Sequence, residues 1–260
     1  MKIEDLQLWQ NAGLASDNSQ APLAMCLDSL APQSPADDVV PEEAIAKDLI
    51  CILSKVINFV TAGDAVYPRD YALPEGQRVT LAVAQDILSQ HWHNIRTELE
   101  KWHGNLPQSC SSTSHTTADT MEDSLPDSAH ERQHGFPKIY YETPICAATM
   151  LSFHMASILL YANRPMESTA IRSSVSARLR HYQQDMQRTN RHARDVCGIV
   201  GQERSESVLV HAIQPLFVAG QVFSTLQDQA AVSSLLKNIE DKTGWSTSWF
   251  IDTMRKNWNA

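Results

Sequence analysis

Glycine is scarce in this 260-residue chain, which contains only nine glycines. Glycine-rich phosphate-binding loops and turn-dense all-β folds need more of this residue, so the composition argues against both. The sequence also lacks common catalytic patterns, among them H-E-x-x-H, G-x-S-x-G and the phosphate-binding loop. We therefore expect a protein that is not an enzyme, with no catalytic residue, no metal site and no cofactor.

Cysteine occurs at five widely spaced positions, an odd number that does not suggest a disulfide framework. Most of the cysteines have apolar neighbours, and no two are close enough in sequence to form a zinc knuckle. This pattern is typical of buried, reduced thiols in an intracellular protein. The five are Cys26, Cys51, Cys110, Cys146 and Cys197.

Long apolar runs of the kind found in signal peptides and membrane spans are also absent. The N-terminus reads M-K-I-E-D-L-Q-L-W and has no uninterrupted apolar stretch. The most apolar helix candidate, Pro144–Tyr161, is short for a bilayer. It is also too polar, because it includes Thr149, Ser152, His154 and Ser157. The sequence predicts a soluble intracellular protein that does not contact membranes.

Charge is unevenly distributed along the chain, whose formal net charge is −9 at pH 7. Residues 136–260 carry 13 Lys and Arg against 10 Asp and Glu, whereas residues 1–135 carry 8 against 20. An acidic overall balance disfavours binding to the phosphates of DNA. By itself, this chain is predicted to be a poor DNA binder.

Hydrophobic residues recur every three or four positions along most of the chain, and no convincing period-two alternation occurs. The predicted fold class is all-α, a multi-helix orthogonal or antiparallel bundle with a long polar insert. Thr143 with Pro144 marks one helix start, and Gly244 marks a left-handed helix end. Helices are predicted over residues 3–12, 41–63, 78–102, 144–161, 171–200, 208–226, 227–242, and from 246 or 247 to the end.

Two segments are too polar to form part of a core. Residues 1–41 are rich in Pro, Ser and Asp beyond the first short helix, and we expect a loosely ordered segment there. Residues at about 105–135 include C-S-S-T-S-H-T-T-A-D-T and an acidic run, and bury too little surface to offset their ordering entropy. The sequence therefore predicts one helical domain over residues 42–260, with a flexible insert.

The stretch Val208–Phe223 reads V-L-V-H-A-I-Q-P-L-F-V-A-G-Q-V-F and is apolar on every side of a helical projection. We expect it to be the central buried helix. Pro215 cannot donate to the carbonyl of His211, so the helix should kink there. The stretch also contains His211 and Gln214, which are polar. These two residues and Pro215 indicate either a bent core helix or the wall of a small-molecule pocket.

Histidines are the first candidates for chemistry. His154 and His211 lie in apolar helices, where a hydrogen-bonded core histidine and a ligand or catalytic base are both consistent with the pattern. An enzyme would need these two side chains to converge with a carboxylate at a cavity. His91 and His93 point to different sides of a helix, which disfavours metal binding by that pair.

Arginines cluster between residues 172 and 194, where Asp185 is the only opposing acidic residue. They fall mainly between apolar positions, which is typical of a solvated helix face. A surface for an acidic partner is the alternative, and its candidate residues are Arg178, Arg188 and Arg191. Tyr182 is the one Phe, Tyr or Trp residue among them, whereas a base-stacking platform would require several.

Several segments in a fixed order also carry a family likeness. Together they resemble the C-terminal regulatory domain of fungal binuclear zinc-cluster transcription factors, from about residue 42 onward and most strongly from Phe136. The ordered set is more specific than any single piece. It comprises W-H-N-I-R-T-E-L-E-K-W at Trp92–Trp102, F-P-K-I-Y-Y-E at Phe136–Glu142, S-F-H-M-A-S-I-L-L-Y-A-N-R-P at Ser152–Pro165, A-R-D-V-C-G-I-V at Ala193–Val200, H-A-I-Q-P-L-F-V-A-G at His211–Gly220, L-L-K-N-I-E-D-K-T-G-W at Leu235–Trp245, and Trp258.

The resemblance implies a nuclear, non-catalytic helical domain that controls transcriptional activation through contacts with partners of the transcription apparatus. It is compatible with a homodimer and with a small-molecule effector. The six-cysteine zinc cluster of that family is absent here, so DNA would be bound only through a separate module outside this chain. Two alternatives from other classes remain: a helical enzyme or ligand-binding protein with a pocket near His154 and His211, and a plain dimerisation scaffold.

Overall fold

The structure is a computed structural model that describes residues 41–61, 81–110, 113–115, 135–165 and 175–259. These residues all belong to one compact unit, Pro41–Ala260. The predicted all-α fold is confirmed. The helices are α1 (Pro41–Thr61), α2 (Leu81–Gly104), α3 (Pro144–Ala162), α4 (Val175–Gln202), α5 (Glu206–His211), α6 (Ile213–Gly220), α7 (Leu226–Thr243) and α8 (Ser248–Trp258).

Helix α3 is the centre of the described fold. It begins as expected: the Thr143 hydroxyl accepts a hydrogen bond from the Cys146 amide, and Pro144 occupies the first turn. Helices α1, α2, α4, α5 and α6 all pack against it. Contrary to the sequence-based expectation, α3 is long and apolar enough to cross a membrane by length and composition. Most of it, however, is buried within the protein, as expected for a core helix.

The stretch Val208–Phe223 is mostly buried but is not one central helix, so that expectation was wrong. It divides at Ala212 into the short helices α5 and α6, and α6 ends at Gly220 rather than near Leu226. The missing N–H of Pro215 accounts for the interruption, because the His211 carbonyl has no donor at the usual position. The hydrogen-bond ladder resumes where the Leu216 amide donates to the Ala212 carbonyl at 2.9 Å.

Helix α4 departs from the predicted apolar face in its first half. Leu179, Tyr182 and Met186 were expected to face the core, but their exposed fractions are 55%, 65% and 45%. In the second half of the helix, Val196 and Val200 are buried as expected. Helical spacing identifies an apolar stripe, but it does not reveal how much of the stripe a neighbouring helix covers.

The last two helices meet at a junction that the sequence predicted. Helix α7 ends at Gly244, whose φ of 75° is the left-handed conformation that favours glycine. The backbone N–H of Thr247, at the start of α8, donates to Glu240 Oε2 at 2.9 Å. The Thr247 side chain is fully buried, and its hydroxyl lies 3.1 Å from the Leu236 carbonyl. These bonds hold α8 against the end of α7.

A disulfide lies in the described part of the predicted insert. Cys110 and Cys146 are bonded, with Cα atoms 5.3 Å apart, so the expectation of reduced thiols was wrong for this pair. The bond ties a 3-10 turn, Gln108–Cys110, to the first turn of α3. Sequence spacing did not reveal it, because the two cysteines are 36 residues apart and meet only in the folded chain.

A short antiparallel strand pair accompanies the disulfide. Strand β1 (Thr113–His115) pairs with β2 (Lys138–Tyr140), with Thr113 opposite Tyr140. Three-residue strands are too short to produce a recognisable alternation, which explains why the sequence did not predict them. The other residues of the insert, and the predicted loosely ordered segment through residue 40 with its first helix, lie outside the described residues.

Replacing both Cys110 and Cys146 with Ala should lower the free energy of unfolding by about 3–4 kcal/mol, because the closed loop of 36 residues no longer restricts the unfolded chain. Urea unfolding under oxidising conditions measures this loss. Cys51→Ala, at a free and half-buried cysteine, is the control. Mass analysis after alkylation in denaturant without reductant must find two unmodified cysteines, and a fully alkylated protein would contradict the assignment.

Gly198→Ala should destabilise the fold by about 1–3 kcal/mol, because the added Cβ would collide with the Pro137 carbonyl oxygen. Gly201 lies one turn further along α4 and has no atom within 4 Å of an added Cβ. Gly201→Ala should therefore be neutral or stabilising by up to about 1 kcal/mol. Chemical denaturation of both variants provides the comparison, and equal effects would refute the close approach of α4 to Pro137.

Candidate functional site

A cavity of about 620 Å³ lies between α2, α3, α4 and the segment that contains β2. Its apolar lining includes Leu99, Ile139 and Met150. Pockets of this size, mainly apolar with a few convergent polar groups, are the usual form of a small-molecule site. The titratable lining residues are Arg96, Glu100, His103, Tyr141, Tyr161, Arg191, and a group formed by His154, His192 and Asp195.

His154, His192 and Asp195 form a cluster on one wall of this cavity. His154 Nδ1 on α3 lies 2.9 Å from His192 Nδ1 on α4, and 3.9 Å from Asp195 Oδ2. A contact between two Nδ1 atoms requires one N–H and one lone pair, so at least one of the rings accepts at this position. We refer to these three residues as the His–His–Asp cluster.

The cluster depends on the packing of α3 against α4. His192 and Asp195 are three residues apart and therefore share one face of α4. His154 is 38 residues earlier than His192 and reaches that face only because the two helices pack together. Sequence reasoning selected His154 but missed His192 and Asp195, although their spacing in the sequence suits a shared ligand on a helix.

Burial determines the charge of the cluster. It lowers the pKa of His154 well below its ordinary value, and the His192 ring lowers it further. Burial, with Arg191 nearby, also lowers the pKa of His192 to about 4. The pKa of Asp195 is raised by burial to about 6, against the opposing effect of Arg191. At neutral pH the site therefore contains two neutral imidazoles beside a carboxylate that is poorly solvated.

Aromatic rings hold the imidazoles in place. His103 stacks on Phe153 with ring centroids 4.6 Å apart, and Phe153 meets His154 edge to face at 5.2 Å. On the other side, Tyr161 stacks on His192 at 6.2 Å. Since these contacts restrict the rotamers of both cluster histidines, the donor atoms are positioned before any ligand arrives.

The structure does not bring His211, Gln214 and Pro215 to the cavity that His154 lines. His211 is at the surface, where its Nε2 lies 2.8 Å from the Ser152 hydroxyl, and Gln214 is exposed. Pro215 is buried in α6. Ser152 and His154 are two residues apart on α3 and point to different sides, which explains why the two histidines do not converge.

The candidate partner-surface arginines all lie on α4. Arg188 is 47% exposed and its Cζ lies 5.5 Å from the Tyr161 ring centroid. Arg191 is exposed and also lines the cavity. The side chain of Arg178 lies outside the described residues. The described arginines thus connect the solvent face of α4 to the residues around the cavity.

Trp92→Phe should lower the free energy of unfolding by about 1–3 kcal/mol, because it leaves a buried carbonyl without its donor. Trp92 is 1% exposed and its Nε1 donates to the Leu160 carbonyl at 2.7 Å, near the end of α3. Leu160 also lines the cavity, so this bond positions one of its walls. Trp245→Phe, at a residue 61% exposed, should change stability by less than about 0.5 kcal/mol. Thermal melting distinguishes the two, and a neutral Trp92→Phe would be inconsistent with this role.

Comparison with known proteins identifies one informative relative. No family model matches the chain, and no solved structure matches it. The chain is 29% identical over 263 residues to Transcription activator AMTR1 of Alternaria alternata. The alignment covers 99% of this chain but 32% of the relative, so the chain spans about one third of that protein's length. Almost the whole chain is therefore similar to one part of a fungal transcription activator.

Proposed function

We propose that this chain is a non-catalytic regulatory region of a transcription regulator that acts in the nucleus. In this proposal it controls activation through contacts with protein partners, and a small-molecule effector binds in the cavity between α2, α3 and α4. A separate module provides contact with DNA. The observation that carries the proposal is the similarity to a transcription activator along 99% of the chain.

The one serine–histidine contact in the described residues lies away from the cavity. The Ser152 hydroxyl is within hydrogen-bond distance of the Ala148 carbonyl, at 3.1 Å, and of His211 Nε2, at 2.8 Å. Neither Ser152 nor His211 lines the 620 Å³ cavity. In this proposal the pair is a structural bond between α3 and α5.

The cavity and the arginine face of α4 support the two regulatory contacts in the proposal. His192 and Asp195 face the cavity, Arg191 lines the cavity and is also exposed, and Arg188 is exposed one turn before His192. A molecule that alters the position of α4 would therefore alter the surface offered to a partner. Coupling of this kind needs a difference in ligand affinity between the two positions of the helix.

A reporter experiment tests the proposal. The chain is inserted between an unrelated sequence-specific DNA-binding module and a strong activation segment, and reporter transcription is compared with that of a fusion lacking the chain. We expect the chain to change the output severalfold. Because a regulatory surface must contact a partner, the double variant Arg188→Gln and Arg191→Gln should reduce that change.

Matched exposed arginines on other segments provide the control. Arg204→Gln with Arg255→Gln removes the same charge away from the cavity and should leave the output unchanged. Melting curves of the purified variants establish that each is folded. A folded insert that leaves the output equal to that of the fusion without it would count against the regulatory role.

A further inference from the structure

The His–His–Asp cluster has the composition of a transition-metal site. One ligand atom from each residue lies within 4.8 Å of the other two. In a tetrahedral zinc site with bonds of about 2.0–2.1 Å, neighbouring ligand atoms are separated by about 3.3 Å. The separations of 2.9 Å and 3.9 Å from His154 Nδ1 fall on either side of that value. Small side-chain rotations would therefore bring the three donors around one ion.

The charges of the cluster also fit a cation. Two imidazoles and a carboxylate offer lone pairs within reach of one another, and imidazole suits zinc, copper, iron and nickel better than magnesium or calcium. Among the described residues, no Lys or Arg lies within ion-pair distance of the Asp195 carboxylate. The basic side chain within that distance is His154. A divalent ion would neutralise a carboxylate that the protein otherwise leaves in a poorly solvated position.

The position of the cluster leaves room for a further ligand. His154 is 7% exposed, and all three residues line the 620 Å³ cavity. Three protein ligands with an open position are characteristic of metal sites that bind an exchangeable water or small molecule, whereas structural zinc sites have four protein ligands. The open side of the cluster faces a space large enough for such a molecule.

We propose that His154, His192 and Asp195 bind one Zn²⁺ ion, with a coordination position open to the cavity. The alternative is a simple hydrogen bond between the two imidazoles, which needs no ion. The inference does not depend on the transcriptional role, because metal binding is measured on the isolated chain. It differs from the expectation based on sequence alone, which included no metal site.

Metal binding to the full chain after chelator treatment tests the proposal. We expect one Zn²⁺ per chain by calorimetry, a higher melting temperature with Zn²⁺, and visible absorption bands typical of tetrahedral Co²⁺ when cobalt replaces zinc. Loss of an outer-sphere partner weakens metal affinity by roughly 10–100-fold. His192→Gln and Asp195→Asn remove direct ligands, so each should weaken Zn²⁺ affinity by at least that factor.

Two exposed residues of the same types serve as controls. His93→Gln and Asp241→Asn should leave the affinity unchanged, because both residues are at the surface. The half-buried His192 and Asp195 are preferred to His154 for the test, and melting curves confirm that their variants fold. Absence of stoichiometric binding by the folded chain would overturn the proposal. The proposal would also be overturned if Zn²⁺ still bound to both the His192→Gln and the Asp195→Asn variants. Loss of Zn²⁺ binding in Cys51→Ser would overturn it as well.

Discussion

The burial of α3 on nearly all sides is the constraint on which the rest of the described structure depends. A helix that is apolar around its whole circumference is stable in water only when other helices enclose it. Five helices do so, and the largest fully buried side chains include Leu151 and Leu160 of α3. The enclosed helix also needs partners for its polar atoms, because an unsatisfied buried group costs about 1–3 kcal/mol.

These polar atoms find partners in two ways. The hydroxyls of Ser152 and Ser157 donate to carbonyls one turn earlier in α3, so they need no neighbour. The Leu160 carbonyl and the His154 ring rely on other helices instead, through Trp92 and His192. Enclosing the helix therefore creates the contact between His154 and His192 at the cavity.

Helix α4 connects the interior with the surface. His192 and Asp195 line the cavity, and Arg191 both lines the cavity and is exposed. Arg188 is exposed one turn before His192. The first half of α4 exposes Leu179, Tyr182 and Met186, an apolar stripe not covered by the described helices. One element thus carries the polar wall of the cavity, a basic surface and an apolar surface.

The sequence by itself determined most of the described helices, because helical periodicity and end signals are local. Thr143 with Pro144 started α3, Gly244 ended α7, and the interruption expected from Pro215 occurs three residues earlier, at Ala212. His154 was also recognisable, since a histidine in an apolar helix needs a partner. The order of the short segments pointed to the same class of protein as the relative in Alternaria alternata.

The tertiary structure alone decided which distant residues meet. It joined Cys110 to Cys146, directed His154 to His192 and Asp195, and left His211 beside Ser152 at the surface. It also made α3, rather than the stretch around Pro215, the centre of the fold. Each of these outcomes depends on how helices far apart in sequence pack together, and side-chain periodicity along one helix contains no information about the helix that will cover it.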